Sequence, residues 1–167
     1  MFKWIRRLTT ITALAALLVV VPQTSALAGQ GSVADVRAAT AKFHDVNVAM
    51  GAGYVHFLNC FDSAQGGMGQ HYVNFDLLNG TLNANTPQAM VYEVDGDKLQ
   101  LVAVEWIAPI QDPSNQFEPA PTLLGHTFTR LDSLGVWALH AWLWRPNPTG
   151  MFKNYNPAVS MCPPGTT

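Results

Sequence analysis

The sequence predicts an α+β domain in which an N-terminal helix packs on a mainly antiparallel, curved, four- or five-stranded sheet closed by one disulfide. Three observations predict it. An early stretch repeats its apolar residues at helical spacing, the segments after it have strand composition with a tight-turn sequence between two of them, and no strand-helix alternation calls for parallel crossovers. The chain has 167 residues, 49% of them hydrophobic and 12% charged, which suits one core and excludes a disordered chain.

Residues 1–28 read as a cleaved signal peptide. Lys3, Arg6 and Arg7 precede an apolar run from Leu8 to Val21, and Ser25-Ala26-Leu27-Ala28 supplies small residues for a cut after Ala28. The run of 14 residues is short of the roughly 20 that a membrane-spanning helix needs. The surroundings of Arg6-Arg7 match the twin-arginine signal poorly, so general secretion to the periplasm or the exterior is expected, with no stable membrane insertion after cleavage. Cleavage removes three of nine basic residues and none of eleven acidic ones, which turns the formal charge of -2 into 6 minus 11, or -5. An acidic domain offers no footprint for nucleic acid. Residues 29–167 are expected to form a single exported domain.

Within it, residues 30–50 read as one helix. Ser32 is its N-cap, Asp35 completes a capping box, and Val36, Thr40, Phe43, Val46 or Asn47, and Met50 form the buried stripe. Gly51 and Gly53 end it. Residues 64–69 (Ala-Gln-Gly-Gly-Met-Gly) read as a flexible loop before a strand over 70–76. The loop lacks the Lys-Ser/Thr of a phosphate-binding loop, and a strand follows it where a nucleotide site needs a helix.

Residues 88–107 form a hairpin around Asp95-Gly96. A two-residue turn there pairs Glu93 with Lys98, Tyr92 with Leu99 and Met90 with Leu101. The outgoing strand then shows Leu99, Leu101, Ala103, Glu105 and Ile107 on one face, with Glu93 turned away from Glu105. A proline-rich connection over 109–121 leads to a strand over 135–145, with Val136, Ala138, His140, Trp142 and Trp144 on one face, and then to an irregular tail. Cys60 and Cys162, the only cysteines, are expected to bond in an oxidising compartment, the alternative being a reactive or metal-binding thiol pair.

Glu105 and His140 each interrupt an otherwise apolar strand face, and a buried carboxylate needs a partner or a proton. With His71, at the start of its own strand, they form a candidate set of two histidines and one carboxylate. Zinc and non-haem iron both use such sets with open positions for water or substrate. The separations of 34 and 35 residues are not diagnostic, and the alternative is a structural hydrogen-bond network. Met68 adds a copper-type donor near His71, but the six methionines form no cluster, so a divalent zinc or iron takes precedence over copper. His44, His56 and His126 read as ordinary. Tyr92, Trp106, Trp142 and Trp144 are candidate walls of an apolar ligand pocket. No G-x-S-x-G nucleophile motif is present.

The sequence resembles a group of small exported bacterial proteins with no established activity. The resemblance rests on Gly53-Tyr54, Gly67 to Asn74 (Gly-Met-Gly-x-His-Tyr-Val-Asn), Val91 to Glu93, Val104 to Trp106, Ala138 to Trp144 (containing Leu-His-x-Trp-Leu-Trp), and Asn147 to Cys162. It covers nearly all of the exported domain and departs at Met161, inserted between Ser160 and Cys162. It implies export and a shared fold, and its motifs contain His71, Glu105 and His140. Three functions stay open: binding of a metal or small ligand, a metal-dependent or His/Glu-based secreted enzyme, and a protein-interaction or structural module whose partner the sequence does not name.

Overall fold

The computed structural model describes residues 31–162, so the expected signal peptide lies outside the described residues. A broken helix of α1 (Val33–Thr40), a 3-10 turn (Ala41–His44) and α2 (Val46–Gly51) precedes a six-stranded antiparallel sheet. Its strands are β1 (Val55–Ser63), β2 (Gly66–Val73), β3 (Ala89–Asp95), β4 (Lys98–Pro109), β7 (Thr129–Leu131) and β8 (Val136–Ala141), in the order β1-β2-β3-β4-β8-β7. A separate small ribbon pairs β5 (Thr122–Leu123) with β6 (His126–Thr127). The α+β class and the antiparallel sheet agree with the sequence reading. The edge strands β1 and β7 are additional to it.

The helix starts as expected. The Ser32 hydroxyl accepts from the Asp35 amide and the Asp35 carboxylate accepts from the Ser32 amide. It does not run unbroken to Met50. The Thr40 hydroxyl donates back to the Val36 carbonyl, the chain tightens into the 3-10 turn, and Asp45 adopts an extended backbone (φ -87°, ψ 111°) and caps α2. The break rephases the stripe, so Ala49 is buried in place of Met50, while Val36, Thr40 and Phe43 stay buried.

The 64–69 loop is corrected too. Only Ala64 and Gln65 turn, and the glycines open β2. Gly66 and Gly67 are needed because the C-terminal tail crosses them without clearance. A Cβ on Gly67 would lie 2.3 Å from the Ser160 carbonyl oxygen, and the Gly67 carbonyl accepts from the Asn156 amide.

The turn between β3 and β4 lies one residue beyond the expected one, which moves the pairing partners of Glu93 and Tyr92 by two residues. Gly96-Asp97 makes the turn, with Gly96 at φ 58°, so Glu93 faces Gln100 and Tyr92 faces Leu101. Beyond that pair Val102 is inserted as a bulge, since Val91 already faces Ala103. The bulge separates faces that simple alternation joins. Leu101 packs with Val104 and Trp106 against the helix, whereas Ala103 joins Val91 on the opposite side. Glu93 consequently shares the Glu105 face, where its carboxylate accepts from the Ser160 amide and hydroxyl and lies 3.5 Å from Arg145.

The ladder of β8 ends at Ala141, short of the expected Arg145, because the Trp142 amide donates to Met151 and the Trp144 amide donates back to Val102. The core therefore has two layers. The helix covers one face, with Tyr92 donating its hydroxyl to the Phe43 carbonyl. On the other face Trp142 and Val159, from the tail, pack against Val91, Val102 and Ala103. The Cys60–Cys162 disulfide ties that tail to β1.

Candidate metal centre

His71, Glu105 and His140 converge on the tail-covered face. Glu105 of β4 and His140 of β8 are direct cross-strand partners. His71 reaches them from β2, across β3, where Ala89 is paired with both Glu105 and Val73. A residue with only a methyl at position 89 leaves the space above β3 in which His71 and Glu105 meet. Alternation along β2 puts His71 and Val73 on this face and Tyr72 on the helix side.

One ligand atom from each residue lies within 4.8 Å of the other two. His71 Nε2 is 3.5 Å from Glu105 Oε2, and His140 Nδ1 is 3.6 Å from Glu105 Oε1. These separations are too long for good hydrogen bonds. They sit close to the roughly 3.3 Å between two donors that share a tetrahedral zinc with arms of about 2.05 Å. His71, Glu105 and His140 are only 5%, 9% and 1% exposed. Nevertheless His71 Nδ1 and both ring nitrogens of His140 lack a hydrogen-bond partner. A structural network would satisfy such atoms.

Electrostatics suit ligation. Burial lowers the His71 imidazole to about 4, with the nearby Glu105 carboxylate opposing and His140 assisting, so the ring is neutral at neutral pH. Burial pushes the Glu105 carboxyl up, but the His140 and His71 imidazoles outweigh it and hold it below its ordinary range. Neutral imidazole and ionised carboxylate are the protonation states a divalent metal requires. The set can hold one such ion.

A cavity of about 210 Å³ opens beside His71 and Glu105. Its wall differs from the expected one. Phe57, Val73, Phe75, Ile107, Leu131 and Leu134 are among the lining residues, and none of Tyr92, Trp106, Trp142 and Trp144 is. Tyr92 and Trp106 lie in the helix-side core, where the Trp106 indole N–H donates to the Asn83 and Ala84 carbonyls. Trp144, placed beyond the end of β8, packs against His44 on that same side. Trp142 alone touches the triad, its ring 4.6 Å from that of His140, while its N–H donates to the Lys153 carbonyl. The aromatic pair that does reach the cavity, Phe57 and Phe75, meets edge to face at 5.0 Å. Sequence reasoning missed it because Phe57 belongs to an unpredicted strand, and because the strand expected over 70–76 ends at Val73, which leaves Phe75 in a short 3-10 turn (Phe75–Leu77).

Met68 lies where the β1–β2 register slips between Gly67 and Gly69 and does not line the cavity. His44 and His126 contact Trp144 and Phe152, and His56 contacts Tyr72. Cys60 and Cys162 are bonded to each other, which removes the thiol-pair alternative. Among the described residues no helix is long and apolar enough to cross a membrane. Comparison of the chain with protein-family models, with curated proteins and with solved structures finds no match.

Proposed function

We propose that this chain is an exported domain that binds one divalent metal ion, zinc or iron, through His71, Glu105 and His140, and presents it to a small molecule in the adjoining cavity. The observation that carries this reading is the convergence of one ligand atom each from His71, Glu105 and His140 within 4.8 Å, with the His140 Nδ1 that faces Glu105 buried and without a hydrogen-bond partner. A purely structural module would leave that nitrogen at a cost of about 1–3 kcal/mol, which disfavours that alternative. Three protein donors are the number found in catalytic zinc sites, where an open fourth position takes water or substrate. An enzyme using a metal-bound water is therefore the second reading, favoured by the cavity beside the donors. Export through residues 1–28 belongs to the same proposal, and the disulfide supports an oxidising environment. The acidic charge argues for small-molecule or metal partners over nucleic acid.

Elemental analysis of the untagged protein from a periplasmic preparation tests the reading, alongside His71→Ala and His140→Ala. Near one equivalent of zinc or iron in the wild type, and loss in both variants with the circular dichroism spectrum retained, is the expected result. A wild type that carries no metal and takes up none on titration overturns it.

A further inference from the structure

The cavity beside the triad has a composition that restricts what can enter it. Among the described residues, nine of the eleven that line it are apolar, and the two polar ones are His71 and Glu105. Among the described residues no lysine or arginine lines it, so an anion finds no counter-charge there from them. His140 is beneath the surface at 1% exposure, which leaves the His71–Glu105 end as the polar floor.

We infer that the metal-bearing cleft selects small monocarboxylic acids with a compact apolar body, the carboxylate meeting the metal and the body filling the cavity. The inference rests on the metal reading above. Two neutral imidazoles, one carboxylate and a divalent ion sum to a charge of +1. In an apolar setting an uncompensated charge is expensive, so a monoanion neutralises the site, a neutral molecule leaves +1 and a dianion overshoots to -1. Without the metal the described lining offers a carboxylate no lysine or arginine to meet.

Size narrows the class. An engineered apolar cavity of about 150 Å³ holds benzene, so 210 Å³ holds one ring with a short chain. The rim agrees: Phe57, Phe75 and Leu134 stand 39%, 47% and 51% exposed around the opening, apolar surface that an aromatic or branched aliphatic body would cover. Edge-to-face geometry between Phe57 and Phe75 leaves ring surface for a third aromatic group.

The test is calorimetric titration of the zinc-loaded full domain with 3-phenylpropionate, with zinc stoichiometry measured on the same samples. Acetate, 3-phenylpropanol and phenylsuccinate serve as the small, neutral and dianionic comparisons, and the EDTA-treated protein as the metal-free one. Expected is one equivalent of 3-phenylpropionate bound at least tenfold more tightly than each comparison, and no binding after EDTA. Val136→Phe, which fills the cavity, and Phe75→Ala, which removes part of its exposed rim, should each weaken binding at least fivefold at unchanged zinc content. Full zinc occupancy with 3-phenylpropionate no tighter than acetate, or equal binding after EDTA, overturns this inference and leaves the metal reading standing. Absence of zinc uptake overturns both.

Discussion

The protonation of His71 sets how the site responds to pH. Its folded-state value near 4 lies below the ordinary 6.5 because burial disfavours the cation, and the Glu105 value is lowered as well. Between about pH 6.5 and 4 the unfolded chain therefore binds a proton at His71 that the folded chain refuses. By linkage, the stability from this residue is fully present above pH 6.5 and is lost as pH falls towards 4, with Glu105 adding a loss of the same sign at lower pH. Urea midpoints of the EDTA-treated protein should accordingly fall more steeply over this window in the wild type than in His71→Gln, and parallel curves would refute the assignment. Metal binding should weaken over the same window, since protons compete for the ligands. The alanine variants separate in kind from a wall change such as Phe75→Ala, because only the former remove a donor atom.

Close approach decides the behaviour of β2. A methyl at Gly67 would overlap the Ser160 carbonyl, and one at Gly69 would lie 2.5 Å from the Tyr92 carbonyl at a backbone φ of 91°. Neither obstacle is a flexible side chain. Gly67→Ala should cost about 1–3 kcal/mol as overpacking and displace the tail whose Val159 and Trp142 cover the second sheet face. For a domain of this size that corresponds to a fall in Tm of a few degrees per kcal/mol, readable by thermal melts. Ala89 is the second such position. Ala89→Leu would insert a branched side chain between His71 and Glu105, so zinc affinity should drop at least tenfold while the disulfide-closed fold persists; affinity unchanged from wild type would show that the triad does not need the space above β3.

At the scale of the molecule, the disulfide and the His71–Glu105–His140 triad constrain different parts of the chain. The Cys60–Cys162 bond spans 102 residues, and the chain-entropy estimate for a loop of about 100 residues is about 4.7 kcal/mol. Its partner contacts act in the same place: the Cys162 amide donates to Asp62, and Glu93 holds Ser160. Reduction, or the Cys60→Ala/Cys162→Ala variant, should lower the urea midpoint and release the tail, exposing Trp142 to solvent with a red-shifted fluorescence. The triad instead joins β2, β4 and β8 across the sheet, so saturating zinc should raise Tm in wild type and in the disulfide-free variant alike. A zinc-induced rise confined to the disulfide-bonded form would mean that the tail, rather than the sheet, assembles the site.

The sequence by itself determined the class of fold, the capping box at Ser32 and Asp35, the cysteine pairing, and the three polar residues out of place on apolar strands. Those features are legible because each follows from local chemistry or from composition: a cap recurs at fixed spacing, and a charge on an apolar face needs an explanation wherever the strand lies. What only the tertiary structure decided depends on irregularities that leave no periodic trace. The Val102 bulge moved Leu101 away from the Glu105 face, the one-residue shift of the turn to Gly96-Asp97 released Glu93 from Lys98, and the tail crossing Gly67 turned an apparent loop into strand. Convergence of His71 with Glu105 and His140 belongs to the same kind, since it requires β2 and β4 to lie either side of β3 with a small residue at Ala89. The cavity wall was least legible, because Phe57, Phe75 and Leu134 come from an edge strand and two 3-10 turns that meet only when the sheet has formed.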